Sequence, residues 1–135
     1  MTNKVSLAIR ILALVIFVQL ALGGLLTFDF ISPTPHIITG FLVLALAVLV
    51  VIVLYSQGRA YEGLKRMSVA MLGLILIQIA IGFATLETGN KILAWIHLLV
   101  ALGIYGMIVS ETFIATIIGR GTRKENSEST AIIEK

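Results

Sequence analysis

The sequence predicts an all-α membrane protein, a bundle of four transmembrane helices built from two repeated helical hairpins, with both termini cytoplasmic. Three observations predict it. Apolar residues make up 59% of the chain and charged residues 13%, and the mean hydropathy is +1.07, far outside the soluble globular range. The apolar residues gather in four runs, each long enough to cross a hydrocarbon core of about 30 Å. Nearly all the basic residues lie on one side of those runs.

The first run covers about residues 8–28. Lys4 and Arg10 make its start basic, but the apolar stretch is long and no small-x-small cleavage site ends it, so it is expected to stay as a spanning helix rather than a cleaved signal. The second run, about 36–55, follows "TFDFISPTP" and opens at His36; the third covers about 68–87 and the fourth about 93–118. Apolar side chains surround each run, as suits helices in lipid, where a helix satisfies its own backbone polar groups. Residues 1–118 thus form the transmembrane bundle. Residues 119–135 form a polar cytoplasmic tail, "GRGTRKENSESTAIIEK", read as a mobile extension, with a partner contact through Ile132 and Ile133 as its alternative.

Orientation follows from the basic residues. Lys4, Arg10, Arg59, Lys65, Arg66, Arg120, Arg123, Lys124 and Lys135 fall on one side and only Lys91 on the other. That asymmetry puts both termini inside and the "TFDFISPTP" and "LETGNK" loops outside, so His36 and His97, the only histidines, lie near the extracytoplasmic surface. The net charge of +3 adds a basic rim that attracts anionic lipid, with no pattern for nucleic acid. The lack of cysteine excludes disulfide exchange, heme attachment through C-x-x-C-H, thiolate zinc and iron–sulfur clusters. The first three runs carry no central charged residue, which counts against a transporter.

A repeat is visible within the chain. Helix one holds Gln19-Leu20-Ala21-Leu22-Gly23 and helix three Gln78-Ile79-Ala80-Ile81-Gly82; a histidine follows 17 residues after Gln19 and 19 after Gln78. Each hairpin therefore reads Gln-x3-Gly, outer loop, histidine. Histidines at matched depth on helices two and four suit axial ligation of one heme iron inside a bundle. Gly40 and Ala101, one turn beyond them on the same faces, leave room for a flat macrocycle, and Gly23, Gly24 and Gly82 are expected to do likewise. The competing readings are plain: an interfacial histidine as an amphipathic boundary residue, glycines for close packing, and Gln19 and Gln78 as interhelical hydrogen-bonding groups instead of cofactor contacts. Trp95, Tyr55 and Tyr61 are expected in the interfacial belts. Lys91 reads as a solvated loop lysine, its alternative being a propionate partner. Glu111 is expected to face a partner or reach the interface.

These residues, "QLALGG" ending helix one, "QIAIG" in helix three and a histidine opening helices two and four, resemble one half of the heme A synthase family over roughly residues 10–115. Members of that family are eight-helix proteins made of two related four-helix bundles, each with a histidine pair that binds a heme. The resemblance implies a heme coordinated by His36 and His97. It also marks departures. The catalytic half of the family has a glutamate three residues before the histidine of its second helix, where this chain has Pro33, with Ala94 before His97. The cysteine pair of many bacterial members is missing, and Asp29 and Glu87, the outer carboxylates, stand at other positions. The heme-holding part therefore carries over and the synthase chemistry does not.

Three functions follow as expectations. The first is a bis-histidine b-type cytochrome carrying electrons as a subunit or accessory of a respiratory or terminal oxidase complex. The second is a half-size heme A synthase, converting heme O to heme A as a homodimer. The third is a cofactor-free structural subunit of a membrane complex. The topology is testable independently of all three: a reporter after Lys124 is expected to be cytoplasmic and one between Thr88 and Asn90 external, and reversed labelling would move the histidines to the inner leaflet.

Overall fold

The computed structural model describes the backbone of residues 4–133 and the side chains of residues 4–121. Over that range the chain forms α1 (Lys4–Thr27), α2 (Pro33–Tyr55), a short 3-10 turn (Arg59–Tyr61), α3 (Glu62–Thr88) and α4 (Lys91–Ile133). Four helical segments are long and apolar enough to span a membrane. Every helix begins earlier than the apolar runs alone predict, because the first turn takes polar or proline residues. Pro33 occupies the first position of α2, where a missing N–H costs nothing, and His36 consequently stands one turn inside the helix.

The connections are short and each has a local cause. Asp29 adopts a left-handed backbone (φ 58°), and the amides of Phe30 and Asp29 return to the carbonyls of Leu25 and Leu26 at 3.0 and 3.1 Å, a Schellman end with aspartate in the usual glycine place. Gly89 ends α3 at φ 62°. Asn90 then starts α4, its Oδ1 accepting the amides of Ile92 at 2.9 Å and Leu93 at 3.4 Å, as an N-cap asparagine does. Such tight turns leave consecutive helices antiparallel and put the start of α1 and the later part of α4 at the same end of the bundle. Helix α1 packs on α2 and α4, and α3 packs on the same two. Helices α2 and α4, which carry the histidines, therefore stand across a diagonal.

Buried side chains occupy only the half nearer the chain ends. They run from Val5 to Ile16 on α1, Val43 to Leu54 on α2, Leu64 to Ile75 on α3 and Ile104 to Ala115 on α4, mostly at the three- and four-residue spacing of an inward stripe. Past those limits, toward the histidine end, no described residue is buried. The exposed shell is apolar throughout, as in Leu14 and Ile52, and matches lipid rather than water. Phe28, Phe30 and Trp95 stand exposed at the histidine end, in keeping with an interfacial belt. Tyr55 is exposed near the other end, with the Lys65 ammonium 5.7 Å from its ring centre.

Three expectations change. Tyr61 is buried rather than in a belt. Glu111 faces neither lipid nor the interface: it is 0% exposed, and its Oε2 accepts the Ser68 hydroxyl at 2.9 Å, tying α4 to α3. The boundary at residue 118 is no break, since α4 is one helix of 43 residues, about 65 Å long, that runs straight from the span into the tail. The suggested contact through Ile132 and Ile133 lies outside the described side chains.

Because lipid tails are as apolar as leucine, packing rather than water exclusion holds such helices together. Leu12→Ala, at a fully buried position, is therefore expected to cost roughly 1–3 kcal/mol, the cavity part of a core truncation, read as a lower unfolding midpoint in detergent. Leu14→Ala on the lipid face should leave the midpoint unchanged.

Candidate functional site

The histidine end is built from two hairpins that place the same residue types in the same relation. On α1, Gln19 and Gly23 lie one helical turn apart and share a face, and that face meets His36 of α2. On α3, Gln78 and Gly82 do the same toward His97 of α4. Glycine makes each approach possible. A methyl group on Gly23 would stand 3.1 Å from His36 Cε1, and one on Gly82 would stand 3.0 Å from His97 Cε1, closer than ordinary contacts of such atoms.

The structure brings the two imidazoles together across the diagonal. Their ring centres are 6.1 Å apart, with the planes inclined by 67°, and both residues are half-buried. Two metal–imidazole bonds of about 2.0–2.1 Å, with the ring radii added, place ring centres roughly 6 Å apart, so this spacing fits one ion held from both sides. The described residues contain no group of three or more His, Cys, Asp or Glu side chains that could hold a bare ion. A two-histidine donor set falls short of the four ligands a structural zinc ion takes, but it is the complement of a macrocycle that supplies the equatorial ligands itself. The residues present therefore fit a heme by donor type and spacing.

The glutamines differ in what their side chains do. Gln19 Nε2 lies 3.3 Å from His36 Nε2. An amide nitrogen only donates, so this ring nitrogen is the acceptor and the proton of the neutral ring belongs on Nδ1. Gln78 Nε2 instead donates to the main-chain carbonyl of His97. The neighbour one turn past His36 is part of the difference. A Cβ on Gly40 would stand 3.2 Å from Gln19 Nε2, so the missing side chain leaves space that the carboxamide takes. Ala101 fills the matching position on α4 with a methyl group.

These contacts modify the sequence expectations. The space beside Gly23 and Gly82 receives imidazole edges, and the space beside Gly40 receives the Gln19 carboxamide, where room for a macrocycle was expected at all three. Gly24 has nothing within 4 Å of a built Cβ. Ala101 is half-buried; Pro33, Ala94, Asp29, Glu87 and Lys91 are all exposed, and none makes a hydrogen bond or ion pair to either imidazole among the described residues. Sequence reasoning missed that the glycines of the Gln-x3-Gly pattern are seats for the histidines. The signal was available, since that spacing puts glutamine and glycine on one face, toward the next helix.

Four buried polar atoms at this end have no hydrogen-bond partner: Oε1 of Gln19 and Gln78, and Nδ1 of His36 and His97. Groups of that kind are rare in finished interiors, and all four belong to the glutamines and histidines of this site. Comparison with known protein families, with curated proteins and with solved structures finds no match to this chain.

Proposed function

We propose that this chain is an integral membrane heme protein in which His36 and His97 are the axial ligands of one b-type heme, and that it carries electrons as a subunit or accessory of a respiratory or terminal oxidase complex. The observation that carries the proposal is the meeting of the only two histidines at 6.1 Å across the bundle. The matched Gln19–Gly23–His36 and Gln78–Gly82–His97 contacts support a duplicated hairpin as the origin of that symmetry. By the positive-inside rule the termini are cytoplasmic and the site lies toward the extracytoplasmic face.

A heme bound there supplies a one-electron couple. The chain's own part is to hold and seal it. His36 and His97 bind from opposite helices, Gln19, Gln78, Gly40 and Ala101 line the space around them, and the packed half below excludes water from the cytoplasmic side. His36 and His97 would hold the iron of such a heme from both sides and leave no position for oxygen, which favours electron transfer over oxygen chemistry.

The resemblance of "QLALGG" and "QIAIG" to half of heme A synthase favours a second reading, a homodimer converting heme O to heme A. Exposed Pro33 and Ala94 at the family's glutamate positions weigh against it.

Replacing either His36 or His97 by alanine is expected to abolish a six-coordinate low-spin spectrum in the purified protein. Full heme occupancy in the double variant would refute the ligand assignment. Gly40→Leu should lower occupancy severalfold, measured as heme extracted per protein, because its branched side chain displaces the Gln19 carboxamide toward the histidines.

Membranes containing the chain, supplied with heme O and reductant and then extracted, are expected to yield no heme A. Heme A formed only while both histidines are intact would establish the half-size synthase instead.

A further inference from the structure

The glycine seats do more than make room. In an α-helix the carbonyl of residue i lies beside residue i+4, whose amide it accepts, and the Cβ at i+4 shields its second lone pair. Gly23 and Gly82 have no Cβ, and they stand four residues after Gln19 and Gln78. Over Gly23 the only ring nitrogen within 4 Å of the built Cβ is His36 Nδ1, at 3.6 Å, and over Gly82 His97 Nδ1 stands at 3.6 Å with Nε2 beside it at 3.7 Å. Both Nδ1 atoms are buried and have no other hydrogen-bond partner. Helical carbonyls in this bundle do accept second donors: Thr27 Oγ1 donates to the Gly23 carbonyl at 2.8 Å and Thr85 Oγ1 to that of Ile81 at 2.9 Å.

We propose that Gly23 and Gly82 are positioning residues: each opens the main-chain carbonyl of Gln19 or Gln78 to Nδ1–H of the facing histidine, so that Nε2 of both imidazoles is the nitrogen offered for ligation. The Gln19 carboxamide agrees from the other side, since its N–H meets His36 Nε2 as an acceptor. A ligand histidine commonly donates its second ring N–H to a carbonyl, which fixes the tautomer and raises its basicity. Here each hairpin carries its own acceptor, and the same Gln-x3-Gly spacing delivers it twice. The ligating role of Nε2 rests on the heme reading above; the tautomer does not.

The test is ring-nitrogen NMR on the heme-free full chain labelled with 15N-histidine, recorded with both rings neutral. The two histidines are expected to give two signal sets, both of the Nδ1–H tautomer. Gly23→Ala should shift only the His36 set toward mixed tautomers, Gly82→Ala only the His97 set, and Gly24→Ala, beside an open space, neither. Gln19→Ala should keep His36 as Nδ1–H, because the acceptor is main chain.

An Nε2–H tautomer in the unsubstituted chain overturns the proposal, whatever the variants do. So does a Gly23→Ala spectrum in which the His36 set is unmoved. The expected tautomers in a chain that takes up no heme would uphold the positioning role and refute the heme reading; heme binding with tautomers indifferent to both glycines would do the reverse.

Discussion

In a bilayer nothing apolar draws one helix onto another, since a leucine is as well solvated by acyl chains as by its neighbours. Association then depends on how closely surfaces fit and on the few polar groups that need partners, and this bundle spends the two resources at opposite ends. The half nearer the chain ends is closed by interlocked residues such as Leu12, Leu54, Met71 and Ile108, each with no exposed surface. The histidine half is held by small residues that let a polar ring from one helix lie against the backbone of the next.

Those halves depend on each other. The closed half fixes the depth and rotation of α2 and α4, and with it the register in which His36 and His97 meet. The buried hydrogen bond from Ser68 to Glu111 adds a directional constraint between α3 and α4 that apolar packing, which tolerates sliding, cannot supply. At the open end the two hairpins repeat one device with one variation. Gly40 admits the Gln19 side chain, whereas Gln78 bonds the main chain of α4. The two imidazoles therefore have similar seats and unequal neighbours, and only Nε2 of His36 meets a carboxamide.

The spans, the helix number and the matched Gln-x3-Gly and histidine positions were legible in the chain because lipid imposes strong, local rules on length and composition. Glu111 was not. One carboxylate in a run of apolar residues reads the same whether it points to lipid, to a partner or inward, and only the rotation of α4, together with a serine 43 residues earlier, puts it in the interior. Tyr61 was misread for a similar reason: the short 3-10 turn before α3 carries it back under the bundle. The start of α2 lies ahead of its apolar run because Pro33 and Pro35, which look like loop residues, sit in the first turn, where a proline gives up only an amide that would have no partner.

By itself the sequence determined that this chain forms four membrane-length helices, with its two histidines just past the short connections at one end. Those properties depend on hydropathy, helix rise and turn chemistry, each acting within a few residues. That the histidines face one another at 6.1 Å was decided only by tertiary structure. Depth along a helix follows from counting residues. The direction in which a side chain points around a uniformly apolar helix is set by its neighbours, and here the shape of the closed half and the missing side chains of Gly23 and Gly82 turn both rings inward.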